Sequence, residues 1–327
     1  MPHTIMTGQD QQDYMTQLRH RVLGMVSSES KPSYMCPRGF YFASDKHLDF
    51  HDDIHRRMPT SIGASRKKIV QWICRLVAVY NAGGEIVHIT MSYFDRFISK
   101  TLEHSNKANK ASIIQLVAFG SLSLALKINQ PDLLPKLMKD ISLLSAGKYK
   151  CQHVERTEVL ILRTLQWAVN PATSHCIVRH LTGLATASMS KCPMNCSNSL
   201  SEWNSFIELA YLTCDMAVSE LTLVGVRHTS ISLAALYNAI DECLSDGFIK
   251  QHAVETIRRV ASDCHLECDV KELCARIRVL FNPDSRIEHL QLQELAAQMQ
   301  QQRDESHHID TAREHSTSPS SVDQFEG

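Results

Sequence analysis

The 327-residue sequence predicts an all-α protein built from two successive five-helix bundles. First, apolar residues recur at three- and four-residue steps through most of the chain, which is the spacing of one buried helix face. Second, short breaks containing Gly, Pro and Asn separate these stretches, and no alternating strand pattern lies between them. Third, at roughly 150 residues per domain, the length favours two domains.

Five helices are predicted before the break at Asn170-Pro171. The apolar stripe of the first runs from Ile69 to Tyr80, and Asn81 with the following Gly83-Gly84 pair ends it. The third is apolar almost all round, so we expect it at the centre of the bundle. The five predicted segments are 69–80, 86–98, 111–128, 132–144 and 151–165.

The second half repeats this layout with little sequence identity to the first. Its predicted helices cover 176–185, 203–216, 229–244, 249–261 and 270–281, with a Ser/Cys/Met-rich spacer at 188–199. We therefore expect a flexible N-terminal arm over 1–59 with one short helix (11–26), bundles over 60–173 and 174–282, and a tail over 283–327. The tail holds nine acidic and three basic residues, and we expect a helix at 290–302 followed by disorder.

The composition of the chain argues against several classes of function. The 34 basic and 35 acidic residues give a net charge of -1, which argues against a nucleic-acid binder or a membrane-surface binder. The opening residues do not resemble a secretory leader, and no apolar run is long enough for a membrane span. Eleven cysteines, an odd number, favour free thiols in a reducing compartment, so we expect the nucleus, the cytoplasm or both.

Four motifs in order resemble the cyclin box. The segment Tyr93–Ser99 reads Tyr-Phe-Asp-Arg-Phe-Ile-Ser and closely resembles the family signature Tyr-Leu-Asp-Arg-Phe-Leu-Ser. The resemblance spans Ser65 to Thr173, while the second half is similar in layout only. The phrase Ala125–Pro131 looks closer to cyclins of diatom-like protists than to animal ones. The other matching segments are Arg66–Trp72, Leu124–Lys127, and Glu158–Trp167 followed by Asn170–Thr173.

The resemblance implies a non-catalytic subunit that binds and activates a cyclin-dependent serine/threonine kinase as a heterodimer in cell-cycle control. In that family the third to fifth helices of the first bundle pack on the kinase's regulatory helix. Lys127 and Glu158 match the lysine and glutamate that hydrogen-bond the kinase backbone there. Arg66 and Asp95 match a buried ion pair whose role is structural. From periodicity alone, Lys127 could equally be a solvated helix end and Glu158 a surface partner of Arg163.

Many cyclins also dock Arg-x-Leu peptides on a shallow patch. Here Trp72 and Gln115 fit that pattern, but Arg75 stands where an acidic residue would meet the peptide arginine. Because like charges repel, we expect docking of this peptide class to be weak or absent. The matching positions are Ser65, Lys68, Ile69, Trp72, Arg75 and Gln115. The acidic pair that often follows the family lysine is Asn129-Gln130 here.

A competing interpretation is a cyclin-fold binding module in transcription that activates no kinase, similar to transcription factor IIB or a scaffold. Such a factor should carry an N-terminal zinc ribbon and a basic DNA-facing surface. This chain has one cysteine, Cys36, before residue 60 and a neutral balance of charge. An enzyme is a third possibility, but the sequence has no Gly-rich phosphate loop and no Gly-x-Ser-x-Gly elbow.

We expect no metal and no cofactor. Neither Cys192 with Cys196 nor the later Cys/His group has the Cys-x-x-Cys spacing typical of zinc sites. That later group is Cys264, His265, Cys268 and Cys274. Ser318-Pro319 is a minimal proline-directed phosphorylation site, a dipeptide that is common by chance.

Overall fold

The computed structural model confirms the all-α class. It describes residues 8–37, 40–41, 61–102, 110–189, 197–245, 247–266 and 270–287, together with 289–291, 294 and 298. Within these residues the chain forms the eleven α-helices named below and no β-strand, and 283–287, 289–291, 294 and 298 are helical as well. The helices are α1 (Gly8–Glu29), α2 (Ser61–Val79), α3 (Glu85–Leu102), α4 (Lys110–Asn129), α5 (Leu134–Leu144), α6 (Cys151–Thr164), α7 (Ser174–Met189), α8 (Ser197–Ser219), α9 (His228–Cys243), α10 (Gly247–Asp263) and α11 (Lys271–Leu280).

The first bundle packs α2, α3, α5 and α6 around α4. The prediction that this helix lies at the centre is therefore confirmed. Its side chains Phe119, Leu122 and Leu126 are almost completely buried. Burial of each such side chain contributes about 1.5–3 kcal/mol to folding. At the end of α2, Asn81 has a positive φ of 52°, a conformation that asparagine tolerates and that ends the helix where the sequence predicts.

The second bundle repeats this arrangement around α9, which contacts α7, α8, α10 and α11. Side chains of α9 from Ile231 to Ile240 line its core. Several of these helices are longer than predicted, above all at the end of α7 and at the start of α8. The predicted spacer 188–199 is helical at both margins, because α7 reaches Met189 and α8 begins at Ser197. These margins are polar, so the apolar periodicity gave no sign of them.

The helix of the N-terminal arm, α1, packs against the second bundle along α7. Leu18 and Val22 are buried in the core of that bundle. Gly183 permits the close approach, since a Cβ there would lie 3.2 Å from Leu18 Cδ1. At the end of α1, Glu29 accepts hydrogen bonds from the Thr229 backbone N–H (3.1 Å) and hydroxyl (2.8 Å), so it caps the N-terminus of α9. Within the predicted helix 290–302, residues 290, 291, 294 and 298 are helical, and the residues beyond 302, for which disorder is predicted, lie outside the described part.

Several polar contacts join the two bundles among the described residues. Arg66 on α2 donates to the backbone carbonyl of Val218 at the end of α8, at 2.8 Å. His88 on α3 lies 2.8 Å from the carboxylate of Asp215 on α8. Both acceptors belong to the last turns of α8, and α7 adds a third contact, because Arg179 Nη1 lies 3.0 Å from the carboxylate of Glu85 on α3.

Candidate functional site

Glu158 is a buried carboxylate on the face of α6 that packs against α4. Its Oε2 accepts a hydrogen bond from Lys127 Nζ at 2.5 Å. Its Oε1 accepts one from the hydroxyl of Ser123, also at 2.5 Å. Ser123 and Lys127 are four residues apart on α4, so both donors come from one face of that helix. The structure thus brings together the two residues that the resemblance singled out, and it adds Ser123.

Close packing of α4 on α6 makes this contact possible. A Cβ at Gly120 would lie 3.0 Å from Thr157 Cγ2 and 3.2 Å from Ile161 Cδ1, so there is room only for glycine without a shift. Gly120 precedes Ser123 by three residues and therefore lies on the same face of α4. The glycine sets the helix separation that lets a short serine side chain reach Glu158.

The pair is asymmetric in exposure. The Lys127 side chain is 46% exposed, whereas that of Glu158 is 7% exposed. An isolated buried carboxylate would be costly, and the ammonium and the hydroxyl offset that cost. An ammonium has three donors, and Glu158 takes one of them among the described contacts. Lys127 therefore has donors left for another molecule, while Glu158 holds its head group in place. The alternative pairing of Glu158 with Arg163 is not what the structure shows.

Exposed apolar side chains accompany the pair on the same three packed helices. Leu143 on α5 is 77% exposed, although large aliphatic side chains usually avoid water. Ile128 follows Lys127 directly on α4, and Val159 and Leu160 follow Glu158 on α6; all three are exposed. Free donors and exposed aliphatic side chains on helices that pack against one another are suited to contact with another protein.

Arg66 and Asp95 form a buried bidentate ion pair between α2 and α3. Arg66 Nε and Nη2 each donate to one carboxylate oxygen, both at 2.8 Å. Tyr41 of the arm adds a hydroxyl donor to Asp95 at 2.6 Å. Burial alone would lower the pKa of Arg66, but the charge and hydrogen bonds of Asp95 raise it above the ordinary value. The pair therefore links α2 to α3. Tyr41 adds the arm to this cluster, and the bond from Arg66 to Val218 adds the second bundle. No sequence signal indicated the roles of Tyr41 and Val218.

The predicted peptide-docking residues of α2 share one helix face. Ser65, Ile69 and Trp72 are half-buried, while Lys68 and Arg75 are exposed. The Trp72 ring packs edge-on against Phe119 of α4, with centroids 4.9 Å apart. Gln115 on α4 is half-buried too. The exposed charges are thus basic, as the sequence implies, and the weakness of Arg-x-Leu docking stays a prediction.

The metal candidates are not brought together among the described residues, where no group of three or more Cys, His, Asp or Glu could hold an ion. Cys264 is buried, and burial raises the pKa of its thiol to about 11. Cys192, Cys196, Cys268 and Ser318 lie outside the described residues. Of the helices that the structure describes, none has both the length and the apolar character needed to cross a bilayer.

Comparison with known proteins agrees with the motifs. Residues 40–170 match the family model "Cyclin, N-terminal domain". Cyclin-D4-1 of Arabidopsis thaliana is 30% identical over 156 residues, which are 46% of this chain and 47% of that protein. The G1/S-specific cyclin-E of Caenorhabditis briggsae is 28% identical over 109 residues, 33% of this chain and 20% of that protein. The matches thus span half or less of these relatives.

Among solved structures, a viral cyclin from herpesvirus saimiri overlays with a TM-score of 0.45 and 14% identity, covering 77% of this chain and 96% of that one. The similarity to plant and nematode cyclins does not test the diatom-like type, which stays a prediction. The family resemblance carried by Tyr93–Ser99 and its companion motifs is confirmed. Residues 40–170 are thus similar to the N-terminal domain of cyclins, as the order of the motifs predicts.

Proposed function

We propose that this protein is a non-catalytic subunit that binds a cyclin-dependent serine/threonine kinase and activates it, in the nucleus, the cytoplasm or both. The observation that carries the proposal is the oriented Lys127 on a helical surface with exposed aliphatic side chains. The head group of Lys127 is held by Glu158 and still has donors to offer. The names of the relatives, which are D- and E-type cyclins, support a role in the cell cycle.

Activation requires no chemistry from this chain. A kinase needs a lysine–glutamate pair between a strand and its regulatory helix, and an ordered activation loop. A partner that binds only that arrangement shifts the kinase toward it, and a shift from 1:99 to 99:1 takes about 5.5 kcal/mol of differential binding. We propose that the ammonium of Lys127 donates to backbone carbonyls of the kinase beside the regulatory helix. The exposed aliphatic side chains of α4, α5 and α6 would supply most of the buried apolar area.

The pair is suited to this role because it exists before any partner arrives. The Lys127 side chain is already oriented, so less side-chain entropy is lost on binding. A partner carbonyl that meets Nζ also replaces water at a charge whose counter-ion is buried. Truncation of one member of such a hydrogen-bonded pair at an interface commonly costs about 2–5 kcal/mol of binding.

Affinity purification of the tagged full-length chain from its native cells, followed by mass spectrometry, tests the proposal. We expect a cyclin-dependent kinase at near-stoichiometric yield, and kinase activity toward a serine/threonine substrate in the eluate. The variant that should lose the kinase is Lys127→Ala with Glu158→Ala. Its matched control is Lys250→Ala, because the Lys250 side chain is similarly exposed and forms an ion pair with Asp241 in the second bundle, at 3.2 Å. Recovery of the chain without any kinase, or with a DNA-bound transcription complex instead, would contradict the proposal.

A further inference from the structure

The outward surface of α2 is cationic. The helix contains four basic residues and no Asp or Glu. Arg66 is buried, but Lys67, Lys68 and Arg75 are exposed, and we call these three residues the cationic face. Among the described residues no carboxylate forms an ion pair with any of them. This surface is separate from the α4–α6 site and plays no part in the proposed function.

The C-terminal segment returns to this helix. His289 lines a cavity of about 200 Å³ together with Cys74 and Ala78 of α2. By helical spacing, Ala78 continues the row formed by Lys67, Gln71 and Arg75, at steps of four, four and three residues. The chain beyond residue 289 therefore starts beside the C-terminal end of the cationic face.

The chain that follows has the complementary charge. Residues 290–327 contain seven acidic and two basic residues, a net charge of -5. From Ala78 to Lys67 the helix rises roughly 16 Å at 1.5 Å per residue. Because 290, 291, 294 and 298 are helical, the extended reach is counted from residue 299, and these twenty-nine residues, at up to about 3.3 Å each, still cover that distance several times over. Both charge and reach allow residues 301–327 to lie along the cationic face.

We propose that the acidic tail, residues 301–327, docks on the cationic face of α2 in the same chain. Exposed ion pairs each contribute only about 0.2–1 kcal/mol, so a few of them hold a free acidic peptide poorly. A tethered segment needs far less interaction energy to stay bound, because a short flexible linker gives an effective concentration in the millimolar range. Attachment next to Ala78 thus favours the chain's own tail over an outside peptide.

Zero-length carbodiimide cross-linking of the full-length protein, followed by peptide mass spectrometry, tests the contact. We expect cross-links from Lys67 or Lys68 to carboxylates of residues 301–327 at low salt, and their loss near 1 M salt, where the screening length is about 3 Å. Mixing ¹⁵N-labelled with unlabelled protein identifies the donor chain. Absence of cross-links to these lysines, or cross-links that join differently labelled chains, overturns the proposal.

A second measurement follows the lysines themselves. The variant Asp304→Asn, Glu305→Gln, Asp310→Asn and Glu314→Gln removes four tail charges without touching a described residue. We expect Lys67 and Lys68 to react about threefold faster with an acetylating reagent in this variant, which corresponds to the loss of a weak ion-pair contact. The exposed lysines of α5, Lys136 and Lys139, serve as internal controls and should not change. Equal rates at Lys67 and Lys68 in both proteins overturn the proposal, whatever the outcome for kinase binding.

Discussion

Glu158 binds Lys127 through a 2.5 Å hydrogen bond while the carboxylate is buried and the lysine stays half-exposed. The buried member orients the pair, and the exposed member is the one that another protein can touch. This division of roles separates two effects of substitution. Loss of Glu158 should act through the position of Lys127, whereas loss of Lys127 removes the contact itself and leaves a carboxylate without its counter-ion.

Lys127→Ala should lower the free energy of unfolding by about 1–3 kcal/mol, because buried Glu158 keeps its charge and loses its ammonium partner. Adding Glu158→Gln should restore much of that loss, since the neutral amide still accepts from Ser123 and carries no charge. Urea unfolding followed by circular dichroism measures both. A double variant as unstable as Lys127→Ala alone would show that the charge of Glu158 is not what the lysine compensates.

Gly120→Ala should destabilise the first bundle by about 1–3 kcal/mol, because the added methyl meets Thr157 and Ile161 at the α4–α6 contact. Thr157 is β-branched and adjusts poorly. Gly24→Ala on α1 is the matched control, since a Cβ there has no neighbour within 4 Å. That change should stabilise by about 0.5–1 kcal/mol through helix propensity. Thermal unfolding of both variants measures these changes. Equal unfolding midpoints for the two variants would contradict the close packing of α4 on α6 at Gly120.

Asp95→Ala should cost about 3–5 kcal/mol, because it leaves the buried guanidinium of Arg66 without its partner. Arg66 also holds Val218 of the second bundle, so the effect should reach both bundles. Trp72 and Trp203 lie in different bundles, and each reports on its own bundle once the other and Trp167 are replaced by Phe. If only the Trp72 signal shifts to lower urea, the link between the bundles carries no energy.

Stability should fall as the pH is lowered from about 7 to 5.5. Burial, and then the neighbouring His88, lower the pKa of His175 below its ordinary value of 6.5. The unfolded chain therefore takes up a proton at a pH where folded His175 does not, so stability rises with pH across this window. His175 packs at 4.4 Å from the Tyr211 ring, with Asp215 and Glu85 as the nearest acids. His175→Gln should flatten the slope of urea midpoint against pH, and an unchanged slope would contradict this assignment.

Local signals explain how much the sequence could predict. The apolar stripe of α2, its end at Asn81 and the apolar surface of α4 are set by neighbours three or four residues away, so periodicity found them. The placement of Lys127 near Glu158 came from motif order, because spacing alone left a solvated lysine equally acceptable. Ser123 had a usable signal, since it lies one helical turn before Lys127 on the same face.

Other contacts had no local signal at all. Glu29 caps α9 across 200 residues of sequence, and Arg66 reaches the carbonyl of Val218. Backbone acceptors carry no side-chain identity, so no residue pattern marks them. The docking of α1 on α7 likewise depends on tertiary packing, because the apolar face of an amphipathic helix shows that it is buried but not which helix it packs against.

The affinity of the purified chain for its purified kinase tests the central claim most directly. Wild type, Lys127→Ala with Glu158→Ala, and the control Lys250→Ala should be compared by calorimetry, with circular dichroism to show that each is folded. We predict a loss of at least about 30-fold for the double variant, the lower end of the effect expected for a truncated interface charge pair. The control should bind like wild type. A folded double variant that binds the kinase with wild-type affinity would contradict the account.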